Sequence, residues 1–222
     1  MKKTILALAT AVSFNAATSL ATENTFYVKA NVGYYKLNDG KFESDNGKSP
    51  KFKSKNGNGF FGIGAGYNIK DNVRVDLVFD YFMSPTHKGS KTYPDGDFDR
   101  YNLKGDISTL TLNGYVNIFD ISSIKIFTGA GLGMAQTKAK ISTTERDAGG
   151  DQPQETDKLK TSNNFTYALH LGASTEIADN LHADLTYSWR DFGEVKTKKV
   201  RGKSSVMPYR GHHLSVGVRY DI

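Results

Sequence analysis

From Phe26 onward the chain alternates apolar and polar residues with a period of two. Phe26, Val28, Ala30, Val32 and Tyr34 fall on one face, and Tyr27, Lys29, Asn31, Gly33 and Tyr35 on the other. Alternation of this kind marks a strand with two unlike faces. It recurs in seven further segments, near 61–69, 73–83, 109–118, 124–134, 165–176, 181–190 and 213–222. Eight alternating segments of about ten residues match the length a tilted strand needs to cross a bilayer. The connections alternate too: Lys70-Asp71-Asn72, Asp120–Ser123 and Ala178-Asp179-Asn180 are short, whereas 37–57, 84–105, 138–162 and 191–211 are long and polar. The predicted fold is all-β: an eight-stranded antiparallel transmembrane up-and-down β-barrel, with four long extracellular loops and three short periplasmic turns.

A soluble barrel would fill its interior with the apolar face, and a membrane barrel turns that face outward. The polar face decides between them. It holds Gly62, Gly64, Gly66, Gly129, Gly131 and Gly133, together with Lys29, Arg74, Lys125, Arg190 and Arg219 against Asp76, Asp80, Glu176, Asp184 and Asp221. Small residues and balanced charges suit a narrow interior in which Lys29, Arg74, Asp76, Asp80, Glu176, Asp184, Arg190 and Arg219 form a charge network. Tyr34, Tyr67, Tyr81, Phe165, Tyr187, Trp189 and Tyr220 sit near strand ends, where aromatic girdles meet the membrane interface.

The chain has 222 residues, no cysteine, 22 glycines and a net charge of +6, with 38% hydrophobic residues. That hydrophobic content excludes a disordered chain, and the lack of cysteine excludes a disulfide framework or thiolate metal site. Residues 1–21 read as a cleaved signal peptide: Lys2 and Lys3, an apolar stretch from Ile5 to Phe14, and small residues at Ser19 and Ala21. The expected domains are therefore the signal peptide, 1–21, and the barrel, 22–222.

The repeat IKDNVRVDLVF (69–79) and IADNLHADLTY (177–187) makes the second and third segments equivalent to the sixth and seventh. Both Asp-Asn pairs suit a tight turn, since Asx side chains tolerate left-handed backbone.

The leader, the x-Asp-Asn turns and the ending Leu214-Ser-Val216-Gly-Val218-Arg-Tyr220-Asp-Ile222 resemble the opacity-protein-like outer-membrane barrels, and among them the small surface antigens and adhesins of rickettsial bacteria. The resemblance implies a surface protein of the outer membrane that attaches to host cells. It also implies handling by periplasmic chaperones and by the barrel-assembly machinery, which reads a terminal aromatic. Here Tyr220 and Ile222 stand in that signal.

The loops at 191–210 and 37–56 carry net charges of +4 and +2, that at 84–104 carries +1, and that at 138–162 is neutral. Lys196, Lys198, Lys199, Arg201, Lys203 and Arg210, with Lys51, Lys53 and Lys55, are the candidate residues for host-cell surface proteins or glycosaminoglycans. The same cations suit outer-membrane lipid and lipopolysaccharide phosphates. An envelope-stabilising barrel without a dedicated ligand is the alternative reading. Eight strands leave no aqueous channel, which argues against a pore. The histidines, His87, His170, His182, His212 and His213, lie at different depths, and His182 is six residues from Ser188, so no nucleophile–base pair is expected. No catalytic, cofactor or metal site is assigned. Nucleic acid is excluded as a partner, because the basic residues lie on loops outside the cell.

Overall fold

Short turns and unlike faces close the chain into a single ring of strands. The structure, a computed structural model, describes residues 24–38, 40–41, 51–54, 57–83, 86–92, 98–147, 150–151, 155–158, 161–196 and 206–222. Among the described residues there is no helix. Eight strands form the barrel: β1 (Thr25–Leu37), β2 (Asn58–Lys70), β3 (Val73–Phe82), β4 (Phe98–Ile121), β5 (Ile124–Asp147), β6 (Ser162–Ala178), β7 (Leu181–Lys196) and β8 (Val206–Asp221). Each pairs antiparallel with its sequence neighbours, and β8 pairs with β1 to close the ring.

Register fixes the shape. Following paired residues once around the ring from Tyr220 passes Val28, Ala65, Leu77, Leu112, Leu132, Tyr167 and Asp191 and arrives at Arg210, ten residues up the starting strand. A shear of ten over eight strands tilts the strands by about 40° and sets the backbone radius at about 8 Å. Two facing side chains fill that width.

The apolar face is turned outward. Ile63, Leu112, Leu132, Leu169, Leu185 and Val216 are each at least half exposed, and they belong to a continuous lipid-facing belt. Tyr34, Phe165 and Tyr187 lie on the outer face towards the extracellular rim, with Tyr81 and Trp189 beside them. Tyr67, Phe26 and Tyr220 lie towards the periplasmic end, where the Phe26 and Tyr67 rings pack at 4.9 Å. The polar face is inside, so a chain of low mean hydropathy satisfies the bilayer with half of its strand residues.

All three periplasmic turns share one device. The pairing slips by one residue between Asn68 and Lys70, between Asn117 and Phe119, and between Glu176 and Ala178. Each slip is a one-residue bulge, and the extra residue is an isoleucine every time: Ile69, Ile118 and Ile177. Bulges sharpen the local twist and re-aim the neighbouring side chains. Asn180 takes a left-handed backbone (φ 62°) in its turn, and Ser122 does so in another (φ 57°).

The expected long loops are partly strand. β4 and β5 run 24 residues each, so their paired ends project well beyond the membrane-spanning part. Thr86–Thr92 pairs with β4, Lys51–Ser54 with Thr86–Thr92, and Gly40–Lys41 with Lys51–Ser54. Glu155–Lys158 and Gly150–Asp151 pair with β5. The apolar alternation ends where lipid ends, whereas the backbone ladder continues, so hydrophobic pattern alone places the strand ends too early.

Candidate functional site

The interior is organised in layers around Asp76. Its carboxylate, 2% exposed, accepts from Lys29 Nζ at 3.0 Å, the Tyr27 hydroxyl at 3.2 Å and Asn113 Nδ2 at 2.7 Å. Above it Arg190 donates to Asp80 at 2.9 Å and to Thr109 at 2.8 Å, and Asn31 reaches the other Asp80 oxygen. Below it Arg219 lies 3.7 Å from Asp184 and 3.5 Å from Asp221, with Ser174 accepting at 3.2 Å. Asp221 also meets His182 Nε2 at 3.1 Å and Asn68. Charges taken out of water are tolerated when paired and hydrogen-bonded on this scale.

Arg74 stays in the buried interior and acts electrostatically on Asp184, whereas Glu176 is placed elsewhere. Arg74 stacks its guanidinium over Phe127 (4.3 Å) and Tyr115 (4.8 Å), in a cation–π arrangement. Glu176 sits at the β6–β7 turn, where its Oε1 accepts from the Asn180 amide at 3.3 Å. Its alternation phase points it inward, but the bulge at Ile177 turns it to the turn backbone. Close approach of a cross-strand neighbour favours glycine at Gly131, where a Cβ would collide with the Asn113 amide oxygen, and at Gly62, where it would collide with the Asp80 carboxylate.

The histidines overturn one expectation. His170 and Ser188 are register partners on β6 and β7, and His170 Nδ1 lies 2.8 Å from Ser188 Oγ. His170 Nε2 is 3.3 Å from Asn113 Oδ1. The neighbouring bond sets the proton positions. Asn113 must point its NH2 at the Asp76 carboxylate, so its oxygen faces His170, which therefore carries its proton on Nε2. Nδ1 is left to accept from the Ser188 hydroxyl. This is nucleophile–base geometry, yet it surrounds a cavity of about 50 Å³, lined among others by Lys29, Asp80, Asp184, Arg190 and His213. Such a volume holds a few waters.

An aromatic plug packs on the extracellular side of that cavity. Phe60 and Phe82 stack at 4.9 Å, Phe192 stacks on His213 at 5.4 Å, and Tyr35 meets Phe82 edge-on at 5.1 Å. Ile107 and Tyr209 are buried at the same end of the barrel. Phe192 and Tyr209 escaped the sequence reading because both fall in the stretch read as the fourth loop. A fourth bulge, between Asp191 and Glu194, carries Gly193 at φ 77° and interrupts the ladder just after Phe192.

Of the candidate binding residues, Lys51 and Lys53 lie on the strand Lys51–Ser54, and Lys196 is the last residue of β7. Arg210 lies on β8, where its Nε donates to Asp191 at 2.6 Å, and that carboxylate raises its already high pKa. Lys55, Lys198, Lys199, Arg201, Lys203 and residues 1–21 lie outside the described residues. Tyr220 and Ile222 are exposed at the periplasmic end, and the Ile222 amide donates to the Phe26 carbonyl at 2.8 Å.

A closed eight-stranded barrel with an apolar exterior, a charged interior and an aromatic cluster towards its extracellular end defines an outer-membrane barrel protein. Residues 4–221 match the family described as outer membrane protein beta-barrel domain, and the chain belongs to that family. It is 42% identical over 219 residues to a Rickettsia conorii protein named as an adhesin, covering 95% of this chain and 87% of the relative. It is also 33% identical over 234 residues to a Rickettsia felis protein named as an adhesin, covering the whole of both. Among solved structures it resembles the outer membrane protein AlkL in lipid bilayers, with a TM-score of 0.58 over 95% of both chains at 12% identity, a likeness of fold.

Proposed function

We propose that this outer-membrane barrel is a surface adhesin whose extracellular part binds host-cell surface proteins or glycosaminoglycans. The single observation that supports the reading most is the 42% identity to a protein named as an adhesin over nearly the whole chain. The architecture agrees with it. The aromatic cluster stands between the extracellular end and the Ser188–His170 pair, and this reading assigns function to what the extracellular end presents. On this reading residues 1–21 are the leader that exports the chain. Lys196, Lys198, Lys199, Arg201 and Lys203 then form the most basic presented segment, and no catalytic step is assigned.

The test is adhesion of whole cells displaying the protein to host-cell protein. Replacing Lys196, Lys198, Lys199 and Lys203 by serine is expected to weaken binding, more so at low salt. A deletion for the same purpose must stay within 197–205, since Phe192 and Tyr209 belong to the plug. Unchanged adhesion in both variants would remove this segment from the reading, and no adhesion by the wild-type barrel would refute it.

A further inference from the structure

One titratable ring stands at the centre of the aromatic plug. His213 is 3% exposed and packs against four aromatic rings from four strands. It stacks on Phe192 of β7 at 5.4 Å and meets Phe82 of β3 at 5.2 Å, Phe60 of β2 at 5.8 Å and Tyr35 of β1 at 5.9 Å. His213 also borders the interior cavity, and its Nε2 makes no hydrogen bond among the described residues. A phenylalanine would supply the same ring surface without an orphaned nitrogen, so the imidazole is held there at a cost in stability.

The charged groups around this ring leave no partner for an added proton. From β7 comes Arg190, whose guanidinium lies over Phe82 at 5.5 Å and Phe192 at 5.9 Å, two of the rings that hold His213. On β3 Asp80 offers a carboxylate, but Arg190 engages one oxygen at 2.9 Å and Asn31 the other. Asp184 also borders the cavity, four residues deeper on β7 than Ser188, the register partner of His213. Asp191 is bound by Arg210. His170 acts on His213 from β6, and His212 from its own strand. β1 presents the Tyr35 hydroxyl, which donates to the Met83 carbonyl at 2.9 Å, and β4 adds Asp106, which acts on Tyr35. β2 contributes only the uncharged Phe60.

A proton on His213 therefore sets a second cation beside Arg190, in a box of aromatic rings whose neighbouring carboxylate is already engaged. Cation–π attraction is shared rather than added, because the Phe82 and Phe192 rings already serve Arg190. Burying an unpaired charge costs far more than burying the neutral ring. Loosening the plug lets water reach the imidazole and removes that cost.

We propose that the plug is an acid-sensitive element, in which protonation of His213 loosens the packed rings and admits small solutes from the extracellular end to the interior cavity. The ion pairs Lys29–Asp76 and Arg219 with Asp184 and Asp221 lie deeper and stay paired, so the response is confined to the extracellular half of the barrel. His213 is neutral in the packed plug and titrates as an ordinary imidazole, near about pH 6.5, in the loosened one. The packed form is therefore fully favoured above that pH and loses ground below it. While the packed form stays neutral, the loosened fraction rises about tenfold between pH 7.5 and 5.5. The inference does not rest on the adhesin reading.

The chain has no cysteine, so a thiol placed in the cavity is unique. Ser215 lines the cavity, and Ser215→Cys is made in the full barrel refolded into phosphatidylcholine nanodiscs. The test measures its reaction with dithiodipyridine, a neutral reagent that modifies thiols in acid as well as at neutral pH. Each rate is divided by that of Asn163→Cys, which is exposed. With His213 present the ratio is expected to rise about tenfold from pH 7.5 to 5.5. It is expected to stay flat when Ser215→Cys is combined with His213→Phe, which keeps an aromatic ring in the plug, or with His213→Gln. Heat-modifiable gel mobility shows that each variant is folded, and Thr186→Cys supplies the cavity thiol should Ser215→Cys not fold. A flat ratio with His213 present, or an equal rise in a folded His213 variant, would overturn the proposal.

Discussion

The Lys29–Asp76 pair makes the strongest quantitative demand on the interior. The ammonium and carboxylate are 3.0 Å apart, with the carboxylate side chain wholly buried and the lysine 15% exposed. At an effective dielectric of about 20 their attraction is about 5 to 6 kcal/mol, and desolvation offsets much of it. Every described partner of Asp76 is a donor: Lys29, Tyr27, Asn113 and the more distant Tyr115 hydroxyl. Asp76→Asn therefore removes the charge and also sets one NH2 against donors. We expect Asp76→Asn and Lys29→Met each to cost about 3 to 5 kcal/mol, because each leaves its partner buried and uncompensated. The double variant should cost less than the sum by about 2 to 3 kcal/mol, as expected for residues in one network. Reversible urea unfolding in lipid vesicles, followed by heat-modifiable mobility and Trp189 fluorescence, measures all four corners of the cycle. Additivity within about 0.5 kcal/mol would refute a direct ion pair.

Gly131→Ala should destabilise the barrel by about 1 to 3 kcal/mol through overpacking against Asn113, and Gly114→Ala, whose Cβ would meet nothing within 4 Å, should be silent in the same unfolding assay. The plug and the filled interior predict that the reconstituted protein is electrically quiet in planar bilayers, so a steady conductance would contradict that packing. Trp189, the single tryptophan, lies on the outer face near the extracellular rim, 5.7 Å from the Tyr167 ring. Its emission should be quenched more by headgroup-proximal than by bilayer-centre lipid quenchers. Arg210→Ala should change stability by less than about 1 kcal/mol, since the guanidinium bonded to Asp191 is half exposed and screened by salt.

The sequence determined a great deal here, because a membrane barrel obeys a rule that is local. The bilayer demands an apolar residue at every second position on each crossing strand, so strand number, facing and turn placement are written along the chain. Val28, Leu112 and Val216 could be set facing lipid, and Asp76 and Arg190 facing inward, from parity alone. Pairing across the barrel is not local. A two-residue turn at Asp179-Asn180 that paired Ala178 with Leu181 throughout would set His170 opposite Trp189. The bulge at Ile177 shifts the ladder by one residue and sets it opposite Ser188. The Ser188–His170–Asn113–Asp76 chain then depends on strands β3, β4, β6 and β7 arriving at one depth, which no single segment encodes. The extracellular sheet was hidden for the opposite reason. Above the membrane both faces can be polar, so the apolar periodicity that reveals a strand is lost while the backbone hydrogen bonds that make it a strand persist. Only the tertiary register joined those segments to the barrel strands.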